Sequence, residues 1–189
     1  MAKKNETADY VNANLINELE EVRRSPIGNT VSPLTIEERT LIYKYTEDGY
    51  GSVNETLRKS LGETITNFGA LLDKTLKKLP NYNGLVYRSA NLTDSELERY
   101  HKALQNNLAL VEHSFISTSK STLIANAFGK SCRFKIISRT GKTIEAYSKY
   151  GTYSTQNEKE ILFRPNRRFN ILEITTDNNI TFITMEEVN

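Results

Sequence analysis

Glu158-Lys159-Glu160-Ile161-Leu162-Phe163 places two carboxylates two positions apart at the head of an apolar run. The run reads as a strand, and period-two geometry then sets both carboxylates on one face of it. Acidic side chains are disfavoured on strands and like charges side by side repel, so the pair costs stability unless something positive stands opposite. The bland explanation is a solvated edge strand. The segment just before it, Ser148-Lys149-Tyr150-Gly151-Thr152-Tyr153-Ser154-Thr155-Gln156-Asn157, is a polar, tyrosine-bearing loop that runs straight into the carboxylates. Loops of this kind often bind something, although an ordinary surface hairpin has the same composition.

Working outward, the second half of the chain reads mostly as strands: 85–89, 108–118, 132–138, 142–147, 158–164, 168–175 and 179–185, separated by glycines and asparagines. Thr93-Asp94-Ser95-Glu96 starts a capped helix reaching about Asn106, and a short helix lies near 121–128. The first half has the helical period instead. Tyr10, Leu15, Leu19 and Val22 predict a helix over 6–24, and Thr35 followed by Ile36, Glu37 and Glu38 predicts one that runs through Tyr45 and stops before Asp48-Gly49. Shorter helices follow at 51–60 and 63–79, closed by Pro80-Asn81-Tyr82-Asn83-Gly84. Helices first and strands afterwards predict an α+β fold, an N-terminal helical lobe packed on two largely antiparallel sheets. The expected division is an N-terminal helical extension over 1–30 and one catalytic domain over 31–189.

Two more strands carry side chains that an apolar core does not need. Ser114-Phe115-Ile116-Ser117-Thr118-Ser119-Lys120-Ser121 ends in hydroxyls and gives way to a helix. Ser119 or Ser121 can cap that helix, which leaves Ser117 and Thr118 to hydrogen-bond a carboxylate on a neighbouring strand. Tyr87-Arg88-Ser89 puts an arginine inside an apolar strand, where it either reaches solvent, pairs with an acid, or points into a cleft and clamps phosphates with two parallel N–H donors.

An arginine strand, a Ser-Thr-Ser strand and a Glu-x-Glu strand occur in that order, with a polar loop before the last. The chain thereby resembles the arginine, serine, glutamate class of mono-ADP-ribosyltransferases, whose members include bacterial toxins and effectors and vertebrate ecto-enzymes. The likeness runs over about residues 32–186 through YTEDGYGSVN (45–54) with Leu57-Arg58, then GLVYRSA (84–90), FISTSKS (115–121), Ala127-Phe128-Gly129, EKEILFRP (158–165) and RRFNILEI (167–174). It implies an enzyme that splits NAD at the nicotinamide bond and hands ADP-ribose to a protein, with NAD as co-substrate and no metal. Under that resemblance Arg88 holds the NAD diphosphate, Ser117 orients the catalytic Glu160, and Thr118 and Ser119 brace the nicotinamide ribose pocket. Phe128 lies over nicotinamide, Lys130 substitutes for a phosphate-binding arginine of the family, and Asn54 contacts the nucleotide, as Arg58 resembles another such position. Glu158 faces the acceptor, which glutamate at this position marks as arginine, and Tyr150 and Tyr153 touch the target.

Composition bounds the rest. A length of 189 residues suits one compact domain. Twenty-five Lys and Arg against 23 Asp and Glu leave a net charge of +2, too balanced for a general nucleic-acid or membrane binder, so neither is expected as a partner. The single cysteine, Cys132, reads as a buried strand residue and excludes an internal disulfide, while His101 and His113 lack partners at metal-ligand spacing. No secretory signal peptide or membrane span is evident. The expected partners are a target protein with an acceptor arginine, a delivery protein and an immunity or inhibitor protein. The expected place of action is the cytoplasm of a target cell, reached without a signal peptide. NAD glycohydrolase activity, or a non-catalytic binding module on the same fold, are the competing readings.

Overall fold

The structure, a computed structural model, describes residues 5–128 and 131–188. Their contacts group into two compact units, residues 5–80 with 144–157, and residues 81–128 and 131–143 with 158–188. Residues 5–30 therefore pack within the first unit, against the helix that follows them, and the chain divides at the start of the sheet and around the loop before Glu158.

The first unit is helical. Helix α1 (Glu6–Asn14) is followed by α2 (Ile16–Arg24), so the single helix expected over 6–24 is broken at Leu15. The Asn12 and Asn14 amides turn back onto the carbonyls of Ala8 and Tyr10 at 2.7 and 2.9 Å, a local competition with the helical ladder just before the break. A 3₁₀ turn at Pro26–Asn29 leads to α3 (Ile36–Lys44), which opens with a capping box: Thr35 Oγ1 accepts from Glu38 N, and the Glu38 carboxylate accepts from Thr35 N. The helix does not stop before Asp48. It widens into a π turn, Tyr45–Gly49, and resumes as α4 (Tyr50–Lys59). Helix α5 (Asn67–Leu76) starts later than expected because Thr66 caps it, accepting from Gly69 N at 3.1 Å. Val11, Leu19, Val22, Leu41, Ile42, Val53, Leu57, Leu72 and Leu76 are buried side chains of this unit.

The second unit holds the sheet. Strand β1 (Asn81–Ala90) is followed by α6 (Asp94–Gln105), which carries the expected capping box between Thr93 and Glu96. The apolar run over 108–118 is two strands, β2 (Leu110–Glu112) and β3 (Ile116–Ser119). They pair with different partners, β2 with Phe169-Arg168-Arg167 and β3 with Phe163 back to Glu160, so the chain changes neighbours across His113–Phe115. After the short α7 (Thr122–Ala125) comes β4 (Cys132–Thr143), one strand where two were expected, then β5 (Glu160–Phe163), β6 (Arg167–Asp177) and β7 (Ile180–Val188). The order is β1-β3-β5-β4-β7-β6-β2 with β1 also along β4, and only β4–β7 is parallel among the described pairings. The pairings form two arrays: a β1-β4-β7-β6-β2 sheet, and a β3–β5 pair joined to it at Tyr87–Ser119 and at Lys142–Leu162.

Val86, Ile116, Phe134, Ile136, Ile161, Phe163, Phe169, Ile183 and Met185 form the core of this unit, with Cys132 buried among them. Phe163 is fully buried and meets Phe169 edge-on at 5.6 Å between ring centroids. Truncating it removes apolar burial and leaves a cavity behind β5. Phe163→Ala is expected to cost about 3–5 kcal/mol of stability, read as a lowered urea midpoint.

Candidate active site

The site is built where β1, β3 and β5 run side by side. Antiparallel pairing puts Ser119 across from Glu160 and Ser117 across from Leu162, so the Ser117 hydroxyl lies diagonal to the Glu160 carboxylate and donates to its Oε1. Arg88 Nη1 donates to the Ser117 carbonyl at 2.9 Å. The arginine, the serine and the glutamate are thus connected in one chain of contacts.

The other hydroxyls of β3 hold backbone. Thr118 Oγ1 donates to the Ile161 carbonyl and Ser119 Oγ to the Glu158 carbonyl, both at 2.7 Å, while Ser119 Oγ also accepts from Ser121 N at 3.0 Å. Main-chain bonding continues from Lys120 N to the Lys159 carbonyl at 3.1 Å.

The two carboxylates are not on one strand face. Strand β5 begins at Glu160, and Lys159 before it has φ of 50°, so the backbone turns out of the extended conformation between them and Glu158 stands ahead of the strand. Glu158 is half-buried and burial raises its carboxyl above the ordinary value. Glu160 is 4% exposed, and loss of water pushes its carboxyl up to about 7; the Ser117 hydrogen bond pulls it down, Glu158 pushes it up and Arg88 pulls it down.

A cleft of about 270 Å³ is lined by Arg88, Ser89, Ser117, Phe128 and Glu158, with Thr118, Ser119 and Ala125 also on its wall. Glu160 is not a lining residue; Ser117, which is, donates to its carboxylate. Phe128 is 61% exposed at the cleft. Lys130 lies outside the described residues. Asn54 belongs to the helical unit, where it is buried on α4 and donates to the Tyr45 hydroxyl at 3.2 Å, and Arg58 is an exposed residue of the same helix. Tyr150 and Tyr153 also belong to that unit, in the loop 144–157; the Tyr153 ring is exposed and its hydroxyl pairs with Thr30 Oγ1 at 3.2 Å.

Ser89 is the residue that sequence reasoning passed over. It is buried, lines the cleft, and its hydroxyl has no partner among the described residues. A buried hydroxyl left unpaired is costly, and one on a cleft wall has a ready explanation in a polar ligand. Its place directly after Arg88 was the only available signal. Arg88 in turn commits one N–H to Ser117 and lines the cleft, and a guanidinium has further donors that fit an anion such as a diphosphate. Among the described residues no group of three or more His, Cys, Asp or Glu is arranged to hold a metal.

A family model described as ADP-ribosyltransferase exoenzyme matches residues 5–189. The chain belongs to this family. The ADP-ribosyltransferase exoenzyme assignment is joined by sequence relatives. NAD(+)–protein-arginine ADP-ribosyltransferase Tre1 of Serratia proteamaculans is 31% identical over 160 residues, covering 82% of this chain and 33% of that protein. Vis of Vibrio splendidus, named as a candidate NAD(+)–arginine ADP-ribosyltransferase, is 30% identical over 179 residues, covering 85% of this chain and 68% of Vis. The chain therefore spans about a third of the Serratia relative. The crystal structure of Vis in complex with agmatine superposes with a TM-score of 0.65 over the whole chain and 87% of Vis at 25% identity. Exoenzyme S from Pseudomonas aeruginosa, solved with human 14-3-3 protein beta and carba-NAD, shares the fold at a TM-score of 0.72 and 20% identity, covering 100% of this chain and 90% of that one. The α+β exoenzyme fold expected from the sequence is thus established.

Burial of Glu160 has a thermodynamic signature. Its folded value of about 7 stands above the ordinary 4.5, so folding favours the protonated form. That contribution is complete below about 4.5 and is lost as pH rises through 7. Glu160→Gln, which cannot ionise, is expected to gain stability relative to wild type as pH goes from about 5 to about 8, read as the difference between their urea midpoints. A difference that stays constant over that range would mean Glu160 does not titrate there.

Proposed function

We propose that the chain is an NAD-dependent mono-ADP-ribosyltransferase acting on arginine in a protein acceptor. The observation that carries this reading is the buried Glu160 carboxylate held by Ser117 next to Arg88, beside a cleft that Glu158 also lines. NAD is the co-substrate. Cleaving its nicotinamide–ribose bond sends the bonding electron pair away with neutral nicotinamide and leaves positive charge on the ribose. A carboxylate fixed in a water-poor site stabilises that charge without reorganising, which is the part assigned to Glu160. Its ionised form is required, so cleavage should rise with pH through about 7. Arg88 binds the diphosphate, Ser117, Thr118 and Ser119 set the geometry, Ser89 offers a hydrogen bond to the bound dinucleotide, and Phe128 packs over the nicotinamide.

The second carboxylate answers a separate need. An arginine acceptor is a cation, so its nitrogen becomes a nucleophile only if a base takes the proton as the new bond to the ribose carbon forms. Glu158, with a carboxyl raised by burial, fills that role: it orients the guanidinium and accepts the proton. The curated relatives named as protein-arginine enzymes support arginine as the acceptor. Tyr150 and Tyr153 contact the target protein. The same reading makes the chain a toxin or effector domain that acts inside a target cell, handled by a delivery protein and restrained by an immunity protein where its own producer is at risk.

Three variants test the division of labour. Glu160→Ala should lower NAD cleavage and transfer together by about 10²- to 10³-fold, the scale of one lost electrostatic stabiliser. Glu158→Gln should keep NAD hydrolysis and lose transfer to arginine; equal loss of both would overturn its role. Ser89→Ala should raise KM for NAD about tenfold with kcat little changed, as for one lost hydrogen bond to a bound substrate. Incubation with biotinylated NAD and cell lysates, followed by mass spectrometry of the modified side chain, checks the acceptor: label on arginine supports the reading, and free ADP-ribose alone would make the chain a glycohydrolase.

A further inference from the structure

The loop 144–157 packs in the helical unit, and its attachments are specific. The π turn Tyr45–Gly49 is the main anchor. Lys149 N donates to Thr46 Oγ1 at 2.9 Å, and Thr46 Oγ1 donates to the Tyr43 carbonyl at 3.0 Å, so one buried hydroxyl joins loop to helix. The Lys149 ammonium pairs with Glu47, the next residue of the turn, and lies 5.6 Å from the centroid of the Tyr43 ring. Glu47 is also near Lys44, at 3.6 Å, and Lys44 bonds Glu18 and Asp48 at 2.8 Å each, so the carboxylate that receives Lys149 is itself held in a charge network. The Tyr43 hydroxyl donates to Glu21 at 2.7 Å, tying α2 into the same cluster.

The rest of the loop is equally determined. Tyr147 and Ser32 share a hydroxyl pair at 2.7 Å, and Thr152 N donates to the Glu145 carbonyl at 2.8 Å. That closure brings the chain so near itself that a Cβ on Gly151 would sit 1.8 Å from the Glu145 oxygen, which only glycine avoids. A π turn is a rare helical geometry that disrupts the regular ladder, and such turns gather at functional sites. Here its consequence is local: both residues that hold Lys149 are in it.

We propose that Lys149, clamped to the π turn by Thr46 and Glu47, is a positioning residue that fixes the loop leading into Glu158 and so sets how much ADP-ribose goes to an arginine rather than to water. The inference rests on the transferase reading above. Its logic is one of order: Tyr150 follows Lys149 directly, Tyr153 is four residues on, and Glu158 is nine residues on along the same segment. An acceptor must be held for transfer while water needs no holding, so a loosened loop penalises transfer alone. Elements kept in place by a few partly exposed contacts are also the ones most easily released.

The test measures two reactions on one preparation, NAD hydrolysis without acceptor and transfer to agmatine, a small guanidinium compound. Lys149→Met is expected to keep hydrolysis within about twofold and to lower agmatine transfer by about 10- to 100-fold, the cost of a misplaced reacting group. Lys149→Arg, which retains the cation, should restore most of the transfer. Glu47→Gln should shift the ratio in the same direction and serves if Lys149→Met does not fold. A folded Lys149→Met protein in which the two reactions fall together, or in which neither changes, overturns the proposal. Wild type that fails to cleave NAD would instead overturn the transferase reading.

Discussion

The hydrogen bond from Ser117 to Glu160 is the constraint on which the rest of the site depends. A carboxylate in the first position of a buried strand is an expensive thing to keep, because its charge loses water and the remaining positions of β5 are apolar. It is kept in place by a register. With Ser119 across from Glu160, the Ser117 side chain falls on the same face as the carboxylate; a slip of one residue would turn every side chain of β5 over and bring Ile161 to the hydroxyls. Arg88 bonds the Ser117 carbonyl, so the residue that holds the carboxylate also holds the guanidinium. Stability given up at one side chain is thus confined by backbone pairing, the usual condition under which a destabilised active site survives.

The chain treats its two carboxylates differently. Glu160 is inside the sheet, fixed by strand pairing and fully within one compact unit. Glu158 stands at the point where the chain passes from the loop of the helical unit into the sheet unit, after Asn157 and before the left-handed Lys159. Ser119 Oγ donates to the Glu158 carbonyl at 2.7 Å. Under the proposed function, Glu160 stabilises charge on a bound dinucleotide and gains from rigidity, whereas Glu158 meets the acceptor and gains from a segment that variation can reshape without disturbing the sheet.

Much of this was legible in the sequence, and the failures have two causes. Caps at Thr35 and Thr93, the apolar strands and the residues of the cleft wall are local signals, written in residues close together in the chain. What escaped either needed long-range information or had no reliable signal in residue type. The 108–118 run is apolar throughout, so nothing in it says that β2 and β3 pair with different strands; the partner strands decide that. Period two put Glu158 and Glu160 on one face, and the positive φ at Lys159 removed the premise, since a lysine carries no composition signal for that conformation. The π turn was likewise hidden, because Asp48-Gly49 looks like a helix stop and instead continues the helix in a wider form. Ser89 could be recognised only once its burial and its missing partner were known.

The Ser-Thr-Ser strand shows why three hydroxyls stand in a row where alternation would call for an apolar residue in the middle. Ser117 acts through its side chain on the Glu160 carboxylate. Thr118 and Ser119 act on backbone, at Ile161 just after Glu160 and at Glu158 two residues before it. The carboxylate is therefore pinned from both flanks as well as at its oxygen. The bond to Ile161 keeps β5 from sliding, the bond to Glu158 fixes the entry of the strand despite the turn at Lys159, and neither can be supplied by an aliphatic residue of the same shape, since valine in place of Thr118 would fill the space but lose the hydroxyl bond to Ile161. The motif is thus a device for holding one strand of backbone, and the orientation of Glu160 follows from it.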